Sequence, residues 1–167
     1  MIRLLTPSIY IRSVTDLDPS DLFADGIRAM LLDLDNTLVA WGATEPEPRM
    51  LAWVARLKEV GLRACIVSNG FSRRTIRLST VFGLPAVGPA AKPSLWGLRR
   101  AMALLQTPAS QTALVGDQLF TDVLAGNLLH LRTILVEPLS SREFITTRIM
   151  RLAERLVRRR LLQTHTT

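Results

Sequence analysis

"IRAMLLDLDNTLVA", residues 27–40, is an apolar run that ends in two carboxylates, Asp33 and Asp35, followed by Asn36 and Thr37. A lone aspartate at a strand end commonly caps the next helix. A pair two positions apart asks for another explanation. Side chains alternate along a strand, so Asp33 and Asp35 are expected to point the same way and the residue between them elsewhere. Asn36 and Thr37 are expected to set the geometry of the turn.

Four further apolar stretches follow: "LRACIVS" (62–68), "PAVG" (85–88), "TALVG" (112–116) and "RTILVEP" (132–138). Between them lie segments with helical spacing, "EPRMLAWVARLKEVG", "SRRTIRLSTVFG", "KPSLWGLRRAMALLQ" and "TDVLAGNLLH". In the first, Leu51, Val54 and Leu57 are expected on one face, with Gly61 as the stop. Trp53 and Trp96 fall at core-like helix positions. Trp41 suits either the entrance of a pocket or a hydrophobic plug, and His130 reads as structural.

Alternation of strands and helices predicts an α/β fold: a mainly parallel five-stranded sheet with helices on both faces. In such sheets the working residues gather at the carboxyl ends of the strands. Asp33, Asp35, Ser68, Lys92, Asp117 and Asp122 all stand at or just after such ends, so they are expected along one edge. Two roles fit Asn69, lining the pocket or capping the next helix, and the sequence leaves both open.

Four carboxylates with one lysine and one serine form a strongly negative site. A hard divalent cation with oxygen ligands, Mg²⁺, balances it. Zinc does not suit, because His130 and His165 lack partners at ligand spacing and Cys65 is the single cysteine. A phosphate uses the remaining groups: Lys92, Ser68 and the amides of the turn can surround its oxygens. One carboxylate can then attack phosphorus and form an aspartyl-phosphate, while the other serves as acid and base.

Taken in order, "DLDNT", Ser68 in "IVSN", Lys92 in "AAKP" and "GDQLFTD" resemble the four motifs of the haloacid dehalogenase (HAD) superfamily of phosphohydrolases. The resemblance implies a Rossmann-like three-layer sandwich. It implies Asp33 as nucleophile and Asp35 as general acid/base, with Ser68 and Lys92 on the phosphoryl group. It also implies Mg²⁺ held by Asp33, the Asp35 carbonyl, Asp117 and Asp122. The outer segments, "LLTPSIYIRSVTDLDPSDLFADGIRAMLLDLDNTLV", "GDQLFTDVLAGN" and "VEPL", resemble the YqeG-type branch, subclass IIIA, which is similar to mitochondrial-type phosphatidylglycerophosphate phosphatases.

Many members of that superfamily carry a cap domain. Here 32 residues separate Asp35 from Ser68 and 23 separate Ser68 from Lys92, each interval filled by a helix and a strand, so no cap is expected. An open site suits a phosphate displayed on something large, such as a lipid head group. Small soluble phosphometabolites, nucleotide or sugar phosphates, are the alternative substrates. A non-catalytic module binding RNA, the ribosome or a protein is the rival reading.

The expected organisation is one domain over 1–167: an N-terminal extension (1–26), a catalytic core (27–139) and a basic amphipathic C-terminal helix (140–162). Hydrophobic residues make up 48% and charged residues 21%, which excludes wholesale disorder. The net charge of +7 is uneven, because residues 142–167 carry 7 basic and 2 acidic side chains while the rest is nearly balanced. In the tail Ile145, Ile149, Leu152 and Leu156 share one face, and Arg148, Arg151, Arg155, Arg158 and Arg159 the other. A helix docked on the sheet and a helix attracted to an anionic membrane both fit this pattern. Nucleic acid is not the expected partner, since no aromatics interleave with the arginines. With no spanning segment and no signal peptide legible, the expected location is cytoplasmic, with peripheral membrane association as an option.

Overall fold

A computed structural model describes residues 2–140. The elements in chain order are β1 (Ile9–Ile11), α1 (Pro19–Ala24), β2 (Ala29–Leu32), α2 (Pro48–Val60), β3 (Arg63–Val67), α3 (Arg73–Phe82), β4 (Ala86–Val87), α4 (Trp96–Leu105), β5 (Thr112–Gly116), α5 (Leu124–Leu128) and β6 (Arg132–Val136). The sheet has six strands, all paired in parallel, in the order β1-β6-β5-β2-β3-β4. The expected count was five. The sixth is β1, from the N-terminal extension, which joins the outer side of β6 with Ile9 opposite Ile134. Three residues, "IYI", are too few to show a period, and their place is fixed by partners far along the chain. Ser8 N–H donates to the Thr133 carbonyl at 2.9 Å, and the Asn127 amide donates to the carbonyls of Leu4 and Thr6.

Both faces of the sheet are covered, which is why the strands read as unbroken apolar runs rather than alternating ones. Along β2, Met30 and Leu32 enter one core with Leu22 of α1, Val54 and Leu57 of α2 and Leu78 and Phe82 of α3. Ala29 and Leu31 enter the other, with Leu98 and Ala101 of α4 and Ala125 of α5. The division follows from strand order. Moving from β1 through β2 and β3 to β4, the chain crosses on one face; returning to β5 and β6, it crosses on the other, as same-handed crossovers in opposite directions require. The result is a three-layer α/β/α sandwich, with no cap among the described residues. The connections from β2 to β3 and from β3 to β4 hold one helix each.

α2 starts with Pro48 at its first position and stops at Gly61, whose φ of 89° is the left-handed cap conformation glycine adopts without cost. Its buried face consists of Met50, Trp53, Val54 and Leu57, and the Trp53 indole donates to the Leu17 carbonyl at 2.8 Å. Leu51, expected on that face, is 36% exposed; the stripe is centred one residue earlier. Trp96, also expected in the core, is 56% exposed, because α4 buries the face made by Gly97, Leu98, Ala101 and Leu105 and Trp96 lies on the opposite side. The segment after β5 differs as well: Leu119–Val123 is a π-helical turn, and only Leu124–Leu128 is α-helical. Cys65 is fully buried, and burial pushes its thiol up to about 12, the inert state expected of it. No helix among the described residues is long and apolar enough to cross a membrane. The anticipated helix over 140–162 lies outside the described residues, apart from Ser140.

Leu57 is fully buried in the larger core. Leu57→Ala is expected to lower unfolding free energy by about 2–5 kcal/mol, read as a shifted midpoint at unchanged slope in urea denaturation.

Candidate active site

The strand order reverses between β2 and β5, and at such a switch point diverging loops leave a crevice at the carboxyl edge. Asp33 directly follows β2 and Asp117 directly follows β5. Asp33 N–H still donates to the Val115 carbonyl at 2.9 Å, so sheet pairing reaches into the site. Asp122 comes from the π-helical turn, whose wider winding returns its carboxylate over β5: Oδ2 accepts from Gln118 N–H at 3.2 Å. Gly116 makes this possible. A Cβ there would overlap the Cβ, Cγ and Oδ2 of Asp122.

Asp33, Asp117 and Asp122 are all buried, and one carboxylate oxygen of each lies within 4.8 Å of the others. Lys92 Nζ sits between two of them, 2.6 Å from Asp33 Oδ1 and 2.7 Å from Asp122 Oδ1. Burial pushes the Asp33 carboxyl up, to about 7; Lys92 opposes the shift, and the charges of Asp122 and Asp35 add to it. Burial alone would lower the pKa of Lys92, but Asp122 and Asp33 outweigh it and hold the ammonium firmly charged. Three carboxylates against one ammonium leave negative charge in excess. Closely spaced, all-oxygen donors of that charge suit a hard divalent cation and not a soft one.

Asp35 stands two positions further on and has a partner of its own. The strand ends at Leu32, and the Asp35 carboxylate, outside the three-carboxylate group, pairs with Arg74 Nη2 of α3 at 2.9 Å. Arg74 also donates from Nε to the Ala43 carbonyl at 2.6 Å, fastening the loop after β2 to α3. Nothing in the sequence singles out Arg74, because its partners lie 31 and 39 positions away. Asn36 adopts φ 62°, and its side-chain oxygen accepts from Trp41 N–H at 3.2 Å and from the Ser140 hydroxyl at 2.7 Å. Its carbonyl accepts from Leu139 N–H at 3.0 Å. The turn carrying the carboxylates is thereby tied to the chain beyond β6. Thr37 is buried beside it, in keeping with a structural role.

Ser68 is buried at the end of β3, its backbone bonded to Val87 and Ala90. Asn69 is engaged in a way the sequence could not show. Its Oδ1 accepts from Lys92 N–H at 2.6 Å and its Nδ2 donates to the Lys92 carbonyl at 3.1 Å, clamping the backbone of the bridging lysine. His130 is exposed just beyond the end of α5.

The comparisons with known proteins agree with this geometry. A family model described as HAD-hydrolase-like matches residues 89–139, the stretch from the Lys92 loop through β6. The probable phosphatase YqeG of Bacillus subtilis is 34% identical over 155 residues, covering 93% of this chain and 90% of that protein. The chloroplastic phosphatidylglycerophosphate phosphatase 1 of Chlamydomonas reinhardtii is 30% identical over 147 residues, spanning 83% of this chain but 55% of that protein. Among solved structures, the deoxy-D-mannose-octulosonate 8-phosphate phosphatase of Haemophilus influenzae has the same fold, with a TM-score of 0.54 at 16% identity over 71% of this chain and 70% of its own. Sheet, switch point and acid–lysine cluster are those of a HAD-type phosphatase. Within that superfamily the chain belongs to the YqeG-type phosphatases.

Two outcomes follow from the packing and the charge. Gly116→Ala must displace Asp122, and is expected to weaken affinity for a divalent cation about 10–100-fold, measured by isothermal titration, with the circular dichroism spectrum unchanged. In metal-free protein Asp33 titrates near 7 when folded against an ordinary 3.8, so between those pH values the folded state retains a proton that the unfolded state releases. Its contribution to stability is full below about 3.8 and is lost as pH rises through about 7. Asp33→Asn should flatten that slope in urea titrations across the same window.

Proposed function

We propose that the protein hydrolyses phosphomonoesters with Mg²⁺ through a phosphoryl group carried on Asp33, and that its substrate is a lipid phosphate, phosphatidylglycerophosphate. The observation that carries the chemistry is the buried Lys92 bridge between Asp33 and Asp122, with Asp117 alongside. The lipid substrate is supported by the similarity to the algal phosphatidylglycerophosphate phosphatase and by the absence of a cap among the described residues. Asp33, Asp117 and Asp122, together with the Asp35 carbonyl, would hold Mg²⁺, whose charge when bound screens an anionic nucleophile from an anionic phosphate.

An ammonium group has three donors. Two are engaged by Asp33 Oδ1 and Asp122 Oδ1, and the third is assigned to a phosphoryl oxygen. The Ser68 hydroxyl binds a second oxygen. Asn69, by clamping the Lys92 backbone, fixes where that ammonium stands. Asp33 Oδ2 attacks phosphorus, the bond to the alcohol oxygen breaks, and Asp35 delivers its proton to the departing oxygen. Asp35, now a carboxylate, takes a proton from water. The resulting hydroxide bonds to phosphorus, the bond from phosphorus to Asp33 breaks, and inorganic phosphate leaves. Arg74 orients Asp35 for both proton transfers.

The test is a substrate panel of phosphatidylglycerophosphate in vesicles, soluble nucleotide and sugar phosphates, and p-nitrophenyl phosphate, run with and without Mg²⁺. Asp33→Asn is expected to lower Mg²⁺-dependent phosphate release by about three orders of magnitude or more, and wild type should turn over the lipid phosphate fastest. Equal or faster turnover of a soluble phosphate overturns the lipid assignment. Undiminished release by Asp33→Asn overturns the mechanism.

A further inference from the structure

Three large aromatic side chains stand exposed after successive strands at the carboxyl edge of the sheet, two on loops and one at the start of α4. Trp41, after β2, is 37% exposed; Phe71, after β3, is 43% exposed; Trp96, after β4, is 56% exposed. Each adjoins the site. Trp41 N–H bonds to Asn36, Phe71 lies three positions after Ser68, and Trp96 lies four after Lys92. The loops are also in contact with one another. Arg74 ties α3 to the Trp41 loop through Ala43, the Phe71 ring lies against Gly88 just beyond β4, and the start of α4 packs Gly97 on Ala90.

Cations accompany them. Arg73 opens α3, and Arg99 and Arg100 lie in the first turns of α4; all three are exposed, with the Arg100 guanidinium over the Trp96 ring at 5.3 Å. The carboxylates on the same loops are neutralised locally, Glu45 by Arg77 and Glu47 by Arg49. The rim is therefore apolar and positive around a mouth that takes a phosphate. Aromatic rings with one polar edge settle at the head-group level of a bilayer, and arginines beside them are drawn to anionic lipid.

We infer that Trp41, Phe71 and Trp96, with Arg73, Arg99 and Arg100, form a docking rim that seats the catalytic mouth on an anionic bilayer surface. The inference rests on the lipid-phosphate reading for its purpose and not for its test. Docked this way, the crevice between β2 and β5 opens at head-group depth, so a membrane-borne phosphomonoester reaches Asp33 without leaving the bilayer. The rim takes the place of a cap: the membrane itself covers the site.

Fluorescence separates this surface from every other. The chain has 3 tryptophans, Trp41 and Trp96 on the rim and Trp53 in the core, and residues 141–167 contain none, so the basic tail is silent. Full-length protein is mixed with phosphatidylcholine–phosphatidylglycerol vesicles carrying brominated acyl chains, which quench an indole that enters the bilayer. Quenching is expected for Trp53→Phe, which keeps both rim tryptophans, and not for the double variant Trp41→Phe/Trp96→Phe, which keeps Trp53. Arg99→Glu/Arg100→Glu is expected to reduce partitioning onto these vesicles by about twentyfold or more, and to leave turnover of soluble p-nitrophenyl phosphate unchanged. Vesicle binding without quenching of Trp41 and Trp96 places the contact on another face and overturns the inference. So does quenching by a single-stranded oligonucleotide but not by vesicles, which assigns the rim to nucleic acid. Because quenching is read without catalysis, failure of the phosphatase test and failure of the rim are told apart.

Discussion

Carboxylates brought together in a buried crevice repel one another, and the ammonium of Lys92 is what lets three of them share the space between β2 and β5. At separations up to 4.8 Å each pair of charges costs about 3–4 kcal/mol with an effective dielectric constant near 20. Three such pairs would equal the whole stability of an ordinary domain. Lys92 lies within hydrogen-bond distance of two members, and Asp33 takes up a proton more readily than usual, so the folded chain carries the cluster without unfolding. The same excess of negative charge makes the site selective for a cation. A site with Lys92 alone would bind phosphate without activating a nucleophile. A site with the carboxylates alone would repel phosphate outright.

Around this bridge the rest of the structure supplies position. The reversal of strand order puts Asp33 and Asp117 on neighbouring strands although 84 positions separate them. The π-helical turn and Gly116 let Asp122 fold back over β5. Asn69 fixes the backbone of Lys92 from β3's side, and Arg74 holds Asp35 from α3. These supports hold groups that lie beyond the regular strands, among them the backbone of Lys92 and the carboxylates of Asp35 and Asp122. Rigidity in the site is thus borrowed from the sheet edge and from helix starts rather than from the loops.

What could be read in the amino-acid sequence and what could not divides along one physical line. Strand–helix alternation, the two-sided burial of β2 and the ordered acidic and basic residues are local patterns, and each was legible because neighbours in sequence carry it. β1 was missed because "IYI" has no period and is held by Thr133 and Asn127. Trp96 was expected in the core because a tryptophan opening an apolar helix reads as buried, whereas the face that α4 buries runs through Gly97, Leu98, Ala101 and Leu105. Leu51 shows the same limit within a single turn. The Asn69 clamp and the Arg74 pair are tertiary contacts between polar residues of ordinary types, and no spacing rule announces them.

The bonds from Asn36 to Leu139 and Ser140 bear on how the molecule comes into being. The acidic turn is translated early, yet its partners at 92, 117, 122 and 139–140 emerge from the ribosome only afterwards. A nascent chain therefore carries Asp33 through 59 positions of synthesis before Lys92, which quiets it, is made. The bonds that tie the acidic turn to Leu139 and Ser140 can form only once the chain beyond β6 has been made.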